Sequence, residues 1–266
     1  MGTTIHQALS GEEAGVAISK LGIKKSNRRP WQLFFLGILA GMYIGFGGQL
    51  FIVTIALGMG KIIGAALFSV GLILVVIAGA ELFTGNIVML IGFLSSVVPA
   101  NKILRNWSAV YVGNFVGSML LALMIYYSGL LGTPENLNAV GKQFAAVAEA
   151  KLSIPFFQAF LRGVLCNILV ILAIIMSVMA ADIVSKILCI LFPITCFVAC
   201  GFEHCVANMF LIPVGLMAKG MSLSQTLVMF TNIVPVTLGN IIGGIMILTL
   251  HPNRLRQIRI LFDRKP

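Results

Sequence analysis

Of the 266 residues, 59% are hydrophobic and only 10% are charged, with a mean hydropathy of +1.05. Soluble domains carry about 25% charged residues, so this composition excludes one. The net charge of +10 sits on Lys and Arg flanking apolar runs, a pattern that orients a chain in a membrane rather than one that binds nucleic acid.

In chain order, residues 1–30 are polar and end in a basic cluster, Lys20, Lys24, Lys25, Arg28 and Arg29. They lack the apolar core of a cleaved signal, and Ile5, Leu9, Val16, Ile18 and Leu21 predict a short amphipathic helix lying in the membrane interface. A first span is predicted over 33–57. An overlong apolar stretch over 62–98 is interrupted by Glu81-Leu-Phe-Thr-Gly-Asn86, and a third span covers 103–128. The polar segment 129–155 reads as a connecting loop, partly helical over 140–151. A fourth span follows over 156–180. A second overlong stretch over 187–218 is interrupted by Gly201-Phe-Glu-His-Cys-Val-Ala-Asn208, a last span covers 223–250, and the tail 251–266 is basic. Each run exceeds the roughly 18–20 residues needed to cross a bilayer.

Six crossings put both termini on one side. Thirteen cations then fall on the side of the termini, in the N-terminal segment, at Lys102, Arg105 and Lys186, and in the tail. Four fall opposite, Lys61, Lys142, Lys151 and Lys219, with Arg162 near the start of the fourth span. That bias places the termini in the cytoplasm. The five cysteines, Cys166, Cys189, Cys196, Cys200 and Cys205, all lie in apolar sequence without CxxC spacing and read as packing residues.

The chain repeats itself. Glu81-x4-Asn86 recurs as Glu203-x4-Asn208, and Gly113-Asn114-x2-Gly117 recurs as Gly239-Asn240-x2-Gly243. Three spans per half is an odd number, so the second half, 156–250, enters the membrane inverted relative to the first, 33–128. The whole chain reads as one transmembrane domain with broken second and fifth helices. Freed backbone is tolerated at membrane depth only inside protein or along a wet cavity, so the two breaks are expected to meet and line a passage. Half-helices starting near Asn86 and His204 would turn their positive ends toward an anion. A plain kink without a passage is the other reading, made weaker by its recurrence.

Glu81 and Glu203 are the only carboxylates deep in apolar sequence. Each is expected to hold its own break by accepting freed backbone N–H groups, with Asn86 beside it; a proton relay is the second reading. His204 is the only histidine inside a span and has no mate in the first half, where Leu82 stands. That asymmetry favours function over packing, since imidazole changes charge near neutral pH. Thr84, Asn167 and Asn208 add neutral hydrogen-bonding groups, while Leu82, Phe83 and Phe197 are candidates for narrowing the passage. A Cys205/His204 nucleophile is not implied by adjacency. A water- or glycerol-type pore for neutral solutes suits the two breaks but leaves the histidine without a use, and nothing in the spacing recommends an intramembrane enzyme.

The segments Ala80–Asn86 and Gly201–Met209, together with Gly113-Asn114, resemble the formate/nitrite transporter family over about residues 37–250. The resemblance implies an aquaporin-like fold, an inner-membrane homopentamer in lipid with one pore per protomer, no cofactor, and passage of formate, nitrite or hydrosulfide. It implies His204 as the central pore histidine, Thr84 as the threonine of the loop in the second span, Lys151 as a vestibule lysine and Asn167 as partner of the histidine. Leu82 and Phe197 match the two apolar constrictions, and Leu72 is a looser match.

Overall fold

The computed structural model describes residues 8–250. The expectations that fall on residues 1–7 and on the basic tail 251–266 lie outside them. Helices α1 (Gly11–Ser26), α2 (Pro30–Ala56), α3 (Lys61–Ile77), α4 (Phe83–Leu94) and α5 (Ala100–Tyr127) make the first half. A two-stranded ribbon, β1 (Gly132–Thr133) with β2 (Asn136–Leu137), leads into α6 (Ala139–Leu152), α7 (Phe156–Met179), α8 (Ile183–Ala199), α9 (Cys205–Ala218) and α10 (Gln225–Thr249). Helices α2, α5, α7 and α10 are long and apolar enough to cross a membrane, whereas α3, α4, α8 and α9 are shorter apolar pieces.

Local chemistry sets the boundaries. Ser10 and Glu13 form a capping box at the start of α1, and Pro30 opens α2 where a missing N–H costs nothing. Helices α3 and α8 both stop at a glycine in the left-handed region, Gly79 (φ +81°) and Gly201 (φ +75°). In each, the next residue's N–H reaches back five residues, Ala80 to the Val75 carbonyl and Phe202 to that of Phe197. The same C-terminal stop therefore produces both breaks.

Two helix pairs form the frame, α2 with α5 and α7 with α10. Their axes approach closely because small residues face each other. A Cβ on Gly113 would sit 3.0 Å from the Gly37 Cα, and one on Gly163 would sit 3.1 Å from the Gly239 Cα. Short half-helix α9 is buried along its whole length, from Cys205 to Ala218.

Helix α1 departs from the expectation of a helix lying in the interface. Ala14, Ile18 and Ser19 are buried, and Gly22 faces the Met89 backbone of α4, so α1 docks on protein. The segment 129–155 is likewise more than a connector, since α6 packs along α9, with Phe144 and Ala148 fully buried.

Candidate functional site

The breaks between α3 and α4 and between α8 and α9 are held in the same way. Asn114 on α5 accepts the Phe83 N–H (2.9 Å) and donates to the carbonyls of Glu81 (2.9 Å) and Gly37 (2.8 Å). Asn240 on α10 accepts the Cys205 N–H (3.0 Å) and donates to the carbonyls of Glu203 and Gly163 (both 2.9 Å). The Glu81 and Glu203 N–H groups go to the carbonyls of Leu36 and Arg162, each at 3.2 Å. The groups that the two asparagines join are buried, so each asparagine removes the desolvation penalty of one N–H and one carbonyl of its break.

The glutamates do not accept the freed backbone N–H groups, which corrects the expectation for Glu81 and Glu203. Their carboxylates take side chains instead. Glu81 binds the Lys25 ammonium (2.6 Å) and the Arg28 guanidinium (2.7 Å), and Asn86 donates to it (2.7 Å). Glu203 takes Lys151 on both oxygens (2.9 Å each) and Asn208 (2.6 Å). Asn86 also donates to Asn106 (2.8 Å), and Asn208 to Asn232 (2.6 Å). Asn106 and Asn232 close the loop on the Lys25 and Lys151 carbonyls. Burial holds the Lys25 ammonium below the ordinary lysine value, while the Glu81 charge pulls it back up.

The repeat therefore includes α1 and α6. Lys25 and Lys151 are mates, as are Asn106 and Asn232. Sequence reasoning missed all of these except Lys151. The signal was present, because Lys25 and Lys151 share the spacing that relates Gly113 to Gly239.

The half-helices begin at Phe83 and Cys205. The first therefore starts three residues before Asn86, and Thr84 lies in its first turn. His204 caps α9, where its Nδ1 accepts the Ala207 N–H (3.1 Å). The proton of the neutral ring is then on Nε2, which faces the Thr84 hydroxyl at 2.8 Å. One hydrogen bond thus joins the two breaks.

Three cavities lie in series across this contact. The first, of about 210 Å³, is walled by Lys61, Lys151, Arg162, Phe202, Glu203 and Asn208, and reaches Phe197 and His204. The second, of about 10 Å³, is enclosed by Leu72, Leu82, Phe197 and His204 with Ile44, Phe68, Val170 and Ile194. The third, of about 420 Å³, continues from Leu82 to Glu81 and Asn86 and opens among Lys24, Lys25, Arg28 and Lys186. Phe197 stacks on the His204 ring with centroids 6.0 Å apart.

Two candidates sit elsewhere than expected. Phe83 turns away from the small cavity and packs edge-on against Trp107 and Tyr111, so it does not narrow the space at His204. Asn167 donates to the carbonyls of Asn240 (2.7 Å) and Thr84 (3.4 Å), and not to the histidine ring. It braces α7 against both halves at the level of the ring.

The sequence model of the formate/nitrite transporter family matches residues 12–252. The chain belongs to the formate/nitrite transporter family. It is 36% identical over 260 residues to formate channel FocA of Haemophilus influenzae, covering 89% of this chain and 91% of that one. It is 39% identical over 264 residues to a probable formate transporter of Methanothermobacter thermautotrophicus, covering 92% and 94%. A solved FNT family ion channel superposes with a TM-score of 0.77 at 29% identity over 90% of this chain and 96% of that one. A pentameric formate channel with formate bound gives 0.69 at 34% over 83% and 95%. As a member of the formate/nitrite transporter family the chain is a multi-pass membrane transporter and not an enzyme.

Proposed function

We propose that this chain is a homopentameric channel whose protomers each pass small monovalent weak-acid anions, formate first, through the three cavities around His204. Helices α3 with α4 and α8 with α9 then act as two broken spans, giving six crossings of the inner membrane, with the second half inverted and both termini cytoplasmic. The observation that carries this reading is the Thr84–His204 contact, where the two breaks meet inside an apolar collar. A bare anion in such a collar costs up to tens of kcal/mol by Born estimates, so charge must be relieved there. With Nδ1 held by Ala207, the ring offers its Nε2–H as a hydrogen-bond donor to the passing acid or anion.

Nitrite and hydrosulfide share formate's size and charge and are the next candidates. Support for formate comes from the named relatives. The test is a flux panel of formate, nitrite, hydrosulfide, chloride and water in proteoliposomes across a pH series, with wild type and His204→Asn. Formate flux that falls at least tenfold in the variant and changes its pH profile supports the reading. Water flux without anion flux would establish a neutral-solute pore, and identical pH profiles would remove the histidine from pH control.

A further inference from the structure

The geometry points to Lys61 and Arg162 as the pair that draws anions into the first cavity, a role that Lys151 is too committed to fill. This rests on the channel reading above. Lys151 spends its charge on Glu203, which it grips with both carboxylate oxygens at 2.9 Å. Glu203 is the only carboxylate among the residues lining this cavity, so that pair is neutral and Lys61 and Arg162 stand in excess. Among the described residues neither forms an ion pair.

Neither charge completes an ion pair that holds a break. Lys61 is the first residue of α3, where the helix dipole disfavours a cation. Its ammonium reaches across to the second break, 3.8 Å from where a Gly201 Cβ would stand, at the C-terminal end of α8, whose dipole holds it at the mouth without neutralising its charge. Arg162 gives its backbone carbonyl to the Glu203 N–H, but in the first half the apolar Leu36 does the same for Glu81. The guanidinium is therefore not needed for that bond. The result is two cations without a carboxylate partner among the described residues, brought from α3 and α7 to one concave mouth with low-dielectric walls. Such a mouth concentrates counter-ions and speeds their entry by about 10–10³-fold.

The experiment measures labelled formate uptake and efflux in intact cells lacking their own formate transporters, for wild type, Lys61→Gln, Arg162→Gln, the double variant and the charge-keeping pair Lys61→Arg with Arg162→Lys. Membrane abundance is matched by immunoblot. The double variant is expected to raise the half-saturating formate concentration about tenfold, to keep the maximal rate within about twofold, and to lose most of the ionic-strength dependence of the wild type. The charge-keeping pair restores all three. An unchanged half-saturation in both directions, or a fall in maximal rate alone, overturns the assignment. Wild type that moves no formate or other small anion overturns the channel reading itself, and this inference with it.

Discussion

Asn114 and Asn240 each satisfy one N–H and one carbonyl that a break has left without partners, and anchor them on the carbonyl of a glycine inside the neighbouring long helix, Gly37 or Gly163. Leaving a buried group unpaired costs about 1–3 kcal/mol. Asn240→Ala is therefore expected to lower the unfolding free energy by about 2–3 kcal/mol, read as a lower melting temperature in detergent, with Asn240→Asp at least as costly because it keeps the acceptor but turns a buried charge onto the Glu203 and Gly163 carbonyls. A melting curve like wild type would show that the second break is held by something else. These two asparagines were visible in the sequence as a repeated motif, but their task was not. Nothing in Gly-Asn-x2-Gly says which helix stop the amide will face. Phe83 failed for the same reason, because its distance along the chain from the break does not tell toward which side a first-turn residue points. His204 and Glu203 could be singled out earlier, since an ionisable group in apolar sequence stands out whatever its partners.

At the level of elements, α1 and α6 do matching work, each delivering a lysine to the glutamate of its break. The sequence treats one as a terminal segment and the other as a connector, because they share little more than that lysine, and the asparagines it faces lie far along the chain on α5 and α10. Polar helices that dock on a membrane bundle carry no long apolar run, so the signal that marks spans passes over them. The Lys25–Glu81 pair has a pH signature. The folded-state pKa of Lys25 lies below its unfolded value, so its contribution to stability is present above the ordinary lysine value and is lost as pH falls through the folded one. At neutral pH the buried charge is unfavourable and Glu81 offsets it. Glu81→Gln should therefore destabilise the protein more at pH 7 than near pH 10, where Lys25 can shed its proton. In a double-mutant cycle with Lys25→Gln, the two changes should couple by about 1–3 kcal/mol. Additive losses with no pH dependence would mean that the pair contributes nothing.

Across the whole molecule, large apolar side chains cover the outside. Phe192 is 69% exposed and Phe157 66%, and the faces of α7 and α8 that carry them suit lipid or neighbouring copies. Native mass spectrometry of the detergent-extracted protein is expected to give five copies, and monomers alone at all detergent levels would remove the pentamer.

The duplicated architecture is not exact at its centre. The mate of His204 is Leu82 and the mate of Thr84 is Val206, so the polar handshake between halves has a greasy image at the matching positions of the repeat. Such lopsidedness shapes a profile of hills and wells that differs when climbed from either end. It can make the ion dwell longer on one flank and can favour one blocker over its mirror placement. By microscopic reversibility, however, it cannot drive net flow between equal reservoirs. Under the proposed function, the direction of traffic follows the gradients of the ion, of protons and of voltage, not the handedness of the passage.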